Sequence, residues 1–215
     1  MILKNCLASL ILIIAVTTSA NAQVQGLSLA DMADSAGKGH TSIMAITIQG
    51  ENSSLYGGRI AYGVTEGLNL FMDMGSYDTE YASPEIMAQF GARYTLPVEL
   101  PFDLSVRGTA IPYVASYEHY IELTLGLHAS CYLDAQSRWG MYGYAGIVHQ
   151  GWELEFDLDP AYAEFPGQTY IDKGDKRTFS TVLGITCKLF GPTRLFTEMA
   201  HTDDYYGCAG IRFDF

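Results

Sequence analysis

Ionisable side chains of this chain recur at positions that alternate with apolar ones along several segments. Six of them are basic and five are acidic. These residues, the charge cluster, are Arg59, Asp73, Arg93, Asp103, Arg107, Glu122, Lys188, Arg194, Glu198, Arg212 and Asp214. If they face one enclosed space, opposite charges should pair, because an unpaired buried charge is costly. Two functions fit such a cluster: a pathway for ions, or a salt-bridged plug.

Two other groups of residues contain side chains that are typical of catalytic sites, but neither group includes every residue that such a site needs. His128 and Ser130 have a spacing similar to the His-x-Ser pair of lipid A deacylases, yet the following strand supplies no carboxylate. His201 with Asp203 and Asp204 could form a dyad that activates water, as in omptin-type proteases. The loops are much shorter than in that family, and a second carboxylate pair is not evident. We therefore predict no catalytic residue.

Composition argues against several further functions. The histidines show no metal-ligand spacing, and Cys131, Cys187 and Cys208 are scattered, with no C-x-x-C motif. We predict no metal site and no cofactor. The chain has 12 basic and 24 acidic residues, whereas a nucleic-acid partner requires a basic surface.

The amino terminus has the pattern of a secretory signal peptide. Lys4 precedes a short apolar run at 7–16, and the sequence Ala20-Asn21-Ala22 follows it. The run is too short to cross about 30 Å of hydrocarbon as a helix. We predict export, with cleavage after Ala22.

Alternation with a period of two predicts β-strands that have one apolar and one polar face. It is clear in six segments, and weaker strands fit the ranges 42–49, 68–76, 139–150 and 193–201. In the third of these, both parities carry glycine, tyrosine or apolar residues, so its faces cannot be assigned. The sequence thus predicts an all-β, membrane-embedded antiparallel up-and-down barrel of ten strands, with eight as the alternative. The strands of a soluble β-sandwich also alternate between apolar and polar residues. That fold, however, gives no reason for the charged residues on the polar parity.

Connections between these strands alternate between short turns and longer loops, the longest being 151–176. Outer-membrane barrels have short periplasmic turns and longer external loops. Aromatic residues such as Tyr62 and Tyr94 fall near the short turns, whereas Tyr56, Phe179 and Tyr205 fall near the longer loops. Two aromatic girdles are typical of the two membrane interfaces. The 151–176 loop suits either a surface-binding role or strands extended above the membrane.

The last segment, 205–215, alternates strictly and ends on Phe215. Its length fits a transmembrane β-strand, which needs about 9–11 residues. It resembles the closing strand of small bacterial outer-membrane β-barrel proteins of the OmpA/OmpX type. That resemblance implies an outer-membrane location, outer-membrane lipids as neighbours, and recognition of Phe215 by the barrel-assembly machinery.

The predicted domains are a signal peptide at 1–22, a periplasmic segment at 23–41 and a transmembrane barrel at 42–215. Small barrels fill their interior with side chains, which favours the plug over the ion pathway. We expect an envelope-structural or surface-interaction role, with the surface partner unknown. The alternatives are a narrow channel for small solutes and, more distantly, an enzyme at the barrel rim.

Overall fold

The structure is a computed structural model that describes residues 37–50, 53–79, 82–115, 118–157, 169–202 and 205–215. The predicted signal peptide, its cleavage site at Ala22 and most of the 23–41 segment lie outside these ranges. Ten strands are present: β1 Thr41–Gln49, β2 Ser53–Gly63, β3 Leu68–Thr79, β4 Ala82–Thr95, β5 Asp103–Ala115, β6 Glu118–Tyr132, β7 Trp139–Asp157, β8 Thr169–Lys188, β9 Thr193–His201 and β10 Tyr205–Asp214. The all-β prediction of ten strands is therefore confirmed. No helix in the described residues is long and apolar enough to cross a membrane.

The strands form one closed barrel in which each is antiparallel to its sequence neighbours. Closure comes from β1 and β10, which pair from Ser42 with Asp214 to Gln49 with Gly207. Phe215 extends this ladder, since its N–H donates to the carbonyl of Thr41 at 2.8 Å and its own carbonyl accepts from the Thr41 N–H at 3.0 Å. The last residue of the chain thus belongs to the seam that closes the barrel.

The barrel wall separates the two parities of each strand as the alternation predicts. On β2, Ile60 and Tyr62 point outward and are half exposed, whereas Arg59 is 1% exposed. On β6, Leu125 is 62% exposed and His128 is fully buried. The outward positions of β2, β6 and β10 include no Asp, Glu, Lys or Arg among the described side chains. The outer face is therefore an apolar band of the kind that membrane lipid covers.

The two ends of the barrel differ. The turns at 64–67, 96–102, 133–138 and 189–192 lie at the end that also carries both ends of the described barrel, here called the terminal end. The opposite end is called the hairpin end. Outward Tyr62 and Tyr94 lie toward the terminal end, and Tyr56, Phe179 and Tyr205 lie toward the hairpin end.

The predicted loop at 151–176 is largely a continuation of strands. β7 and β8 stay paired as far as Asp157 with Thr169, whereas β9 pairs with β8 only from Thr181 onward. The segments 150–157 and 169–176 therefore extend the wall at the hairpin end beyond β9, with β6 still paired to β7 as far as Leu154, and are here called the β7–β8 ribbon.

Candidate functional site: the filled lumen

The lumen encloses six of the charged side chains that the sequence singled out. Three are arginines and three are carboxylates, so their formal charges cancel. They are Arg59, Arg93 and Arg107 with Asp73, Glu122 and Glu198, and each is at most 3% exposed. They converge because each occupies the inward parity of its strand.

Register sets the closest contact among them. Arg59 on β2 lies opposite Asp73 on β3, and Asp73 lies opposite Gln89 on β4. The guanidinium Nε and Nη2 of Arg59 donate to the two carboxylate oxygens of Asp73 at 2.6 and 2.8 Å. Gln89 Nε2 adds a third bond to Asp73 at 2.7 Å. Such a bidentate, charge-assisted pair fixes both side chains in one geometry.

Phe71 lies between two arginines beside this pair. The guanidinium carbons of Arg59 and Arg107 are each 4.6 Å from the centre of its ring, within cation–π range. The ring also lies against Gly91 on the next strand, where a Cβ would collide with the ring carbons. Phe71 therefore anchors two cations in the middle of the lumen.

One tyrosine and one amide donate hydrogen bonds to the carboxylates on the other wall. Tyr142 Oη donates to Glu198 at 2.9 Å, and Gln150 Nε2 donates to Glu122 at 3.0 Å. The ring of Tyr142 also meets that of His128 edge-on, with 5.9 Å between ring centres. Neutral donors thus contribute to a network that the sequence predicted only as salt bridges.

An apolar layer fills the lumen toward the hairpin end. Ile48, Leu55 and Ile111 have no exposed surface, and Met87 and Tyr206 are less than a tenth exposed. All five belong to one continuous cluster of buried side chains that extends down to Met44 and Phe196. The lumen is therefore filled by hydrophobic packing as well as by charge, whereas the alternation of the sequence predicted a polar interior.

Large rings in the lumen pack where a neighbouring strand has glycine. Tyr142 lies against Gly184, and Phe196 lies against Gly210, so closely that a Cβ on either glycine would collide with the ring. Because glycine leaves that space free, the rings can lie on the wall and fill the volume beside it. Close packing of this kind is typical of a protein core rather than of a water-filled channel.

The remaining members of the charge cluster lie at the terminal end. Arg212 donates to Asp214, and Arg194 approaches the same carboxylate at 3.7 Å while its guanidinium lies 5.5 Å from the ring centre of Tyr132. Asp103 is partly exposed, and Lys188, the last residue of β8, is exposed. Lys188 therefore lies at the mouth and not inside the lumen, because its strand ends there.

The structure places the two candidate catalytic groups in different parts of the barrel. His128 and Ser130 are buried in the lumen on β6, whereas His201 lies on the rim with its ring 4.5 Å from that of Tyr205. Asp203 and Asp204 lie outside the described residues. Within the described ranges, no group of three or more His, Cys, Asp or Glu residues could hold a metal ion.

The closed up-and-down barrel has an apolar outer band, and polar and apolar side chains fill its lumen. These features define a membrane-embedded β-barrel. No protein-family model matches the chain, and no curated protein matches it.

Solved structures similar to the chain are outer-membrane β-barrels. The N-terminal β-barrel domain of OprF from Pseudomonas aeruginosa is 14% identical, covers 83% of this chain and 99% of its own, and has a TM-score of 0.40. Ail, the attachment invasion locus protein of Yersinia pestis, is 11% identical with the same coverages and a TM-score of 0.34. Neisserial surface protein A is 13% identical, covers 82% of this chain and 96% of its own, and has a TM-score of 0.35.

Proposed function

We propose that the protein is a non-conducting outer-membrane barrel with an envelope-structural or surface-interaction role. The observation that carries this proposal is the filled lumen. Arg59, Asp73 and Phe71 block its middle, and an apolar layer around Leu55 and Ile111 blocks the hairpin end. A solute would have to displace a bidentate ion pair and a packed apolar layer. We propose no catalytic role, because His128 and Ser130 are enclosed within the packed lumen, where a substrate could not reach them.

Orientation follows from the lengths of the connections. Short turns of outer-membrane barrels face the periplasm, and the terminal end carries the short turns at 64–67 and 189–192. In this orientation the signal peptide ending at Ala22 directs export, the segment that follows it remains in the periplasm, and the hairpin end faces the cell exterior.

The β7–β8 ribbon then supplies the surface that partners can reach. Lys173 pairs with Glu153 at 2.6 Å across its two strands, and both side chains are exposed to solvent. Asp175 and Lys176 of the ribbon, and Arg177 next to it, are also exposed. The pairing of β8 with β9 begins only at Thr181, so it does not reach these residues. A charged ribbon outside the membrane suits contact with surface partners.

Labelling of engineered cysteines tests this topology. In a chain whose own cysteines are replaced by alanine, Lys173→Cys should react with a membrane-impermeant maleimide on intact Gram-negative cells. The matched variant Ala135→Cys, at an exposed position in the short turn at 133–138, should react only after the outer membrane is permeabilised. Labelling of Ala135→Cys but not of Lys173→Cys on intact cells would reverse the orientation and remove the surface role.

The carboxy-terminal seam is the proposed contact with the barrel-assembly machinery. Deletion of Phe215 removes both of its hydrogen bonds to Thr41 and the terminal aromatic group. We expect export to continue while the amount of folded protein in outer-membrane fractions falls severalfold. Phe215→Tyr keeps the ladder and an aromatic terminus, and it should assemble normally. Equal outer-membrane levels of the deletion and the parent chain would contradict this role.

A further inference from the structure

A groove crosses the outer surface of the barrel obliquely, from the middle of β6 to the hairpin end of β10. It has a volume of about 520 Å³. Gly143, Ala145 and Thr181 form its floor, and Leu127, Leu183 and Met199 form its walls. The floor is low because these three outward positions carry small side chains while their neighbours are large. This oblique groove lies within the apolar band, so a polar ligand has no partner along most of it.

The groove is polar where it approaches the hairpin end of the barrel. The groove ends at His201 and Tyr205, which face each other across β9 and β10 with ring centres 4.5 Å apart. His201 lies opposite Thr181 of the groove floor. Imidazole and phenol groups can both form hydrogen bonds, so the groove changes from apolar to polar where the membrane interface begins.

A cation lies on β8, four residues toward the hairpin end from Thr181 of the groove floor. Outward positions of β8 read Ile185, Leu183, Thr181 and Phe179 toward the hairpin end, and Arg177 is the first charged one. Arg177 is exposed and lies directly opposite His149 on β7. Positive charge at the edge of an apolar band is complementary to an anionic lipid headgroup.

The length of the groove agrees with the length of a lipid in one leaflet. From Leu127 on β6 to Tyr205 on β10 the groove crosses four strand spacings, which amount to about 19 Å. One leaflet contributes about 15 Å to the hydrocarbon core, and an oblique path through it is somewhat longer. The groove therefore runs from near the bilayer midplane to the interface, the path of one acyl chain.

We propose that the oblique groove is a binding site for one phosphorylated lipid of the leaflet at the hairpin end. Its acyl chain lies on Gly143, Ala145 and Thr181, and its phosphorylated headgroup extends from His201 at the groove end to Arg177 on β8. The orientation proposed above makes this the outer leaflet, so the occupant is lipid A. Failure of this site leaves the closed lumen and the surface ribbon unaffected, because neither depends on the groove.

Native mass spectrometry of the folded protein with lipid A measures the site directly. The unmutated barrel should retain one lipid A after transfer to detergent. Ala145→Phe fills the groove floor and should weaken retention about tenfold or more, whereas Ala92→Phe, an outward alanine on β4, should not. Thr181→Leu narrows the same floor by a smaller change. It tests the groove if the phenylalanine variant does not fold, as judged by its heat-dependent shift in gel mobility.

The headgroup contact has its own pair of variants. Arg177→Gln should weaken lipid A binding about tenfold, the effect of losing one charge-assisted hydrogen bond. Lys173→Gln, farther along the ribbon and paired with Glu153, should bind as the parent does. Equal retention by Ala145→Phe, Thr181→Leu and Ala92→Phe would overturn the groove site. Equal retention of phosphatidylglycerol and lipid A by the parent would overturn the assignment to lipid A.

Discussion

Replacement of Asp73 by alanine is expected to lower the free energy of unfolding by about 3–5 kcal/mol. The carboxylate accepts two bonds from Arg59 and one from Gln89, and all three side chains are at most 2% exposed. Its loss leaves the Arg59 guanidinium buried without its principal counter-charge. Urea unfolding in lipid vesicles, followed by tryptophan fluorescence, measures the change.

A surface ion pair provides the control. Glu153→Gln breaks the ion pair of Glu153 with Lys173, in which the two side chains are 43% and 61% exposed, respectively. This change should lower the free energy of unfolding by at most about 1 kcal/mol. The double variant Arg59→Met with Asp73→Leu should recover much of the loss, because a buried pair can be replaced by apolar packing. A cost for Asp73→Ala no larger than that for Glu153→Gln would contradict a buried, closed lumen.

Ile60→Arg should destabilise the folded barrel by about 2–4 kcal/mol. Ile60 points outward and lies between Ile43 on β1 and Met72 on β3, so the arginine would enter the apolar band. Ser54→Arg, on the same face of the same strand but near the hairpin end, should cost about 0–1 kcal/mol. Ile60→Leu controls for the change of shape. Equal costs for the two arginine variants, measured by unfolding in vesicles, would rule out this membrane placement.

The sequence predicted the wall better than the interior. Over 58–65 and 121–131 one parity carries no charge, so the faces of β2 and β6 and their place in a barrel could be predicted from spacing. β7 could not be assigned, because each parity of its sequence carries mainly glycine, aromatic or apolar residues. Its inward face depends on Tyr142, whose ring needs Gly184 on the neighbouring strand. That contact is set by register between strands and leaves no trace in local spacing.

The contents of the lumen show the same limit. The inward parity was predicted to be polar, yet β1 turns Met44, Ile46 and Ile48 inward, and all three are buried. Nothing in the 42–49 segment indicates that its inward side chains join an apolar layer from other strands. Likewise, the charges could be listed from the sequence, but the partner of Asp73 depends on the offset between β2 and β3.

The proposed function depends on a lumen that is closed by Arg59, Asp73, Phe71 and the apolar layer above them. Planar-bilayer recording of the unmutated protein tests this most directly. A filled ten-stranded barrel should give no stable conductance steps, whereas Glu122→Ala combined with Glu198→Ala should raise conductance by unbalancing the buried charges and admitting water. Large, long-lived openings of the unmutated barrel would contradict the closed lumen and establish a channel for small solutes in its place.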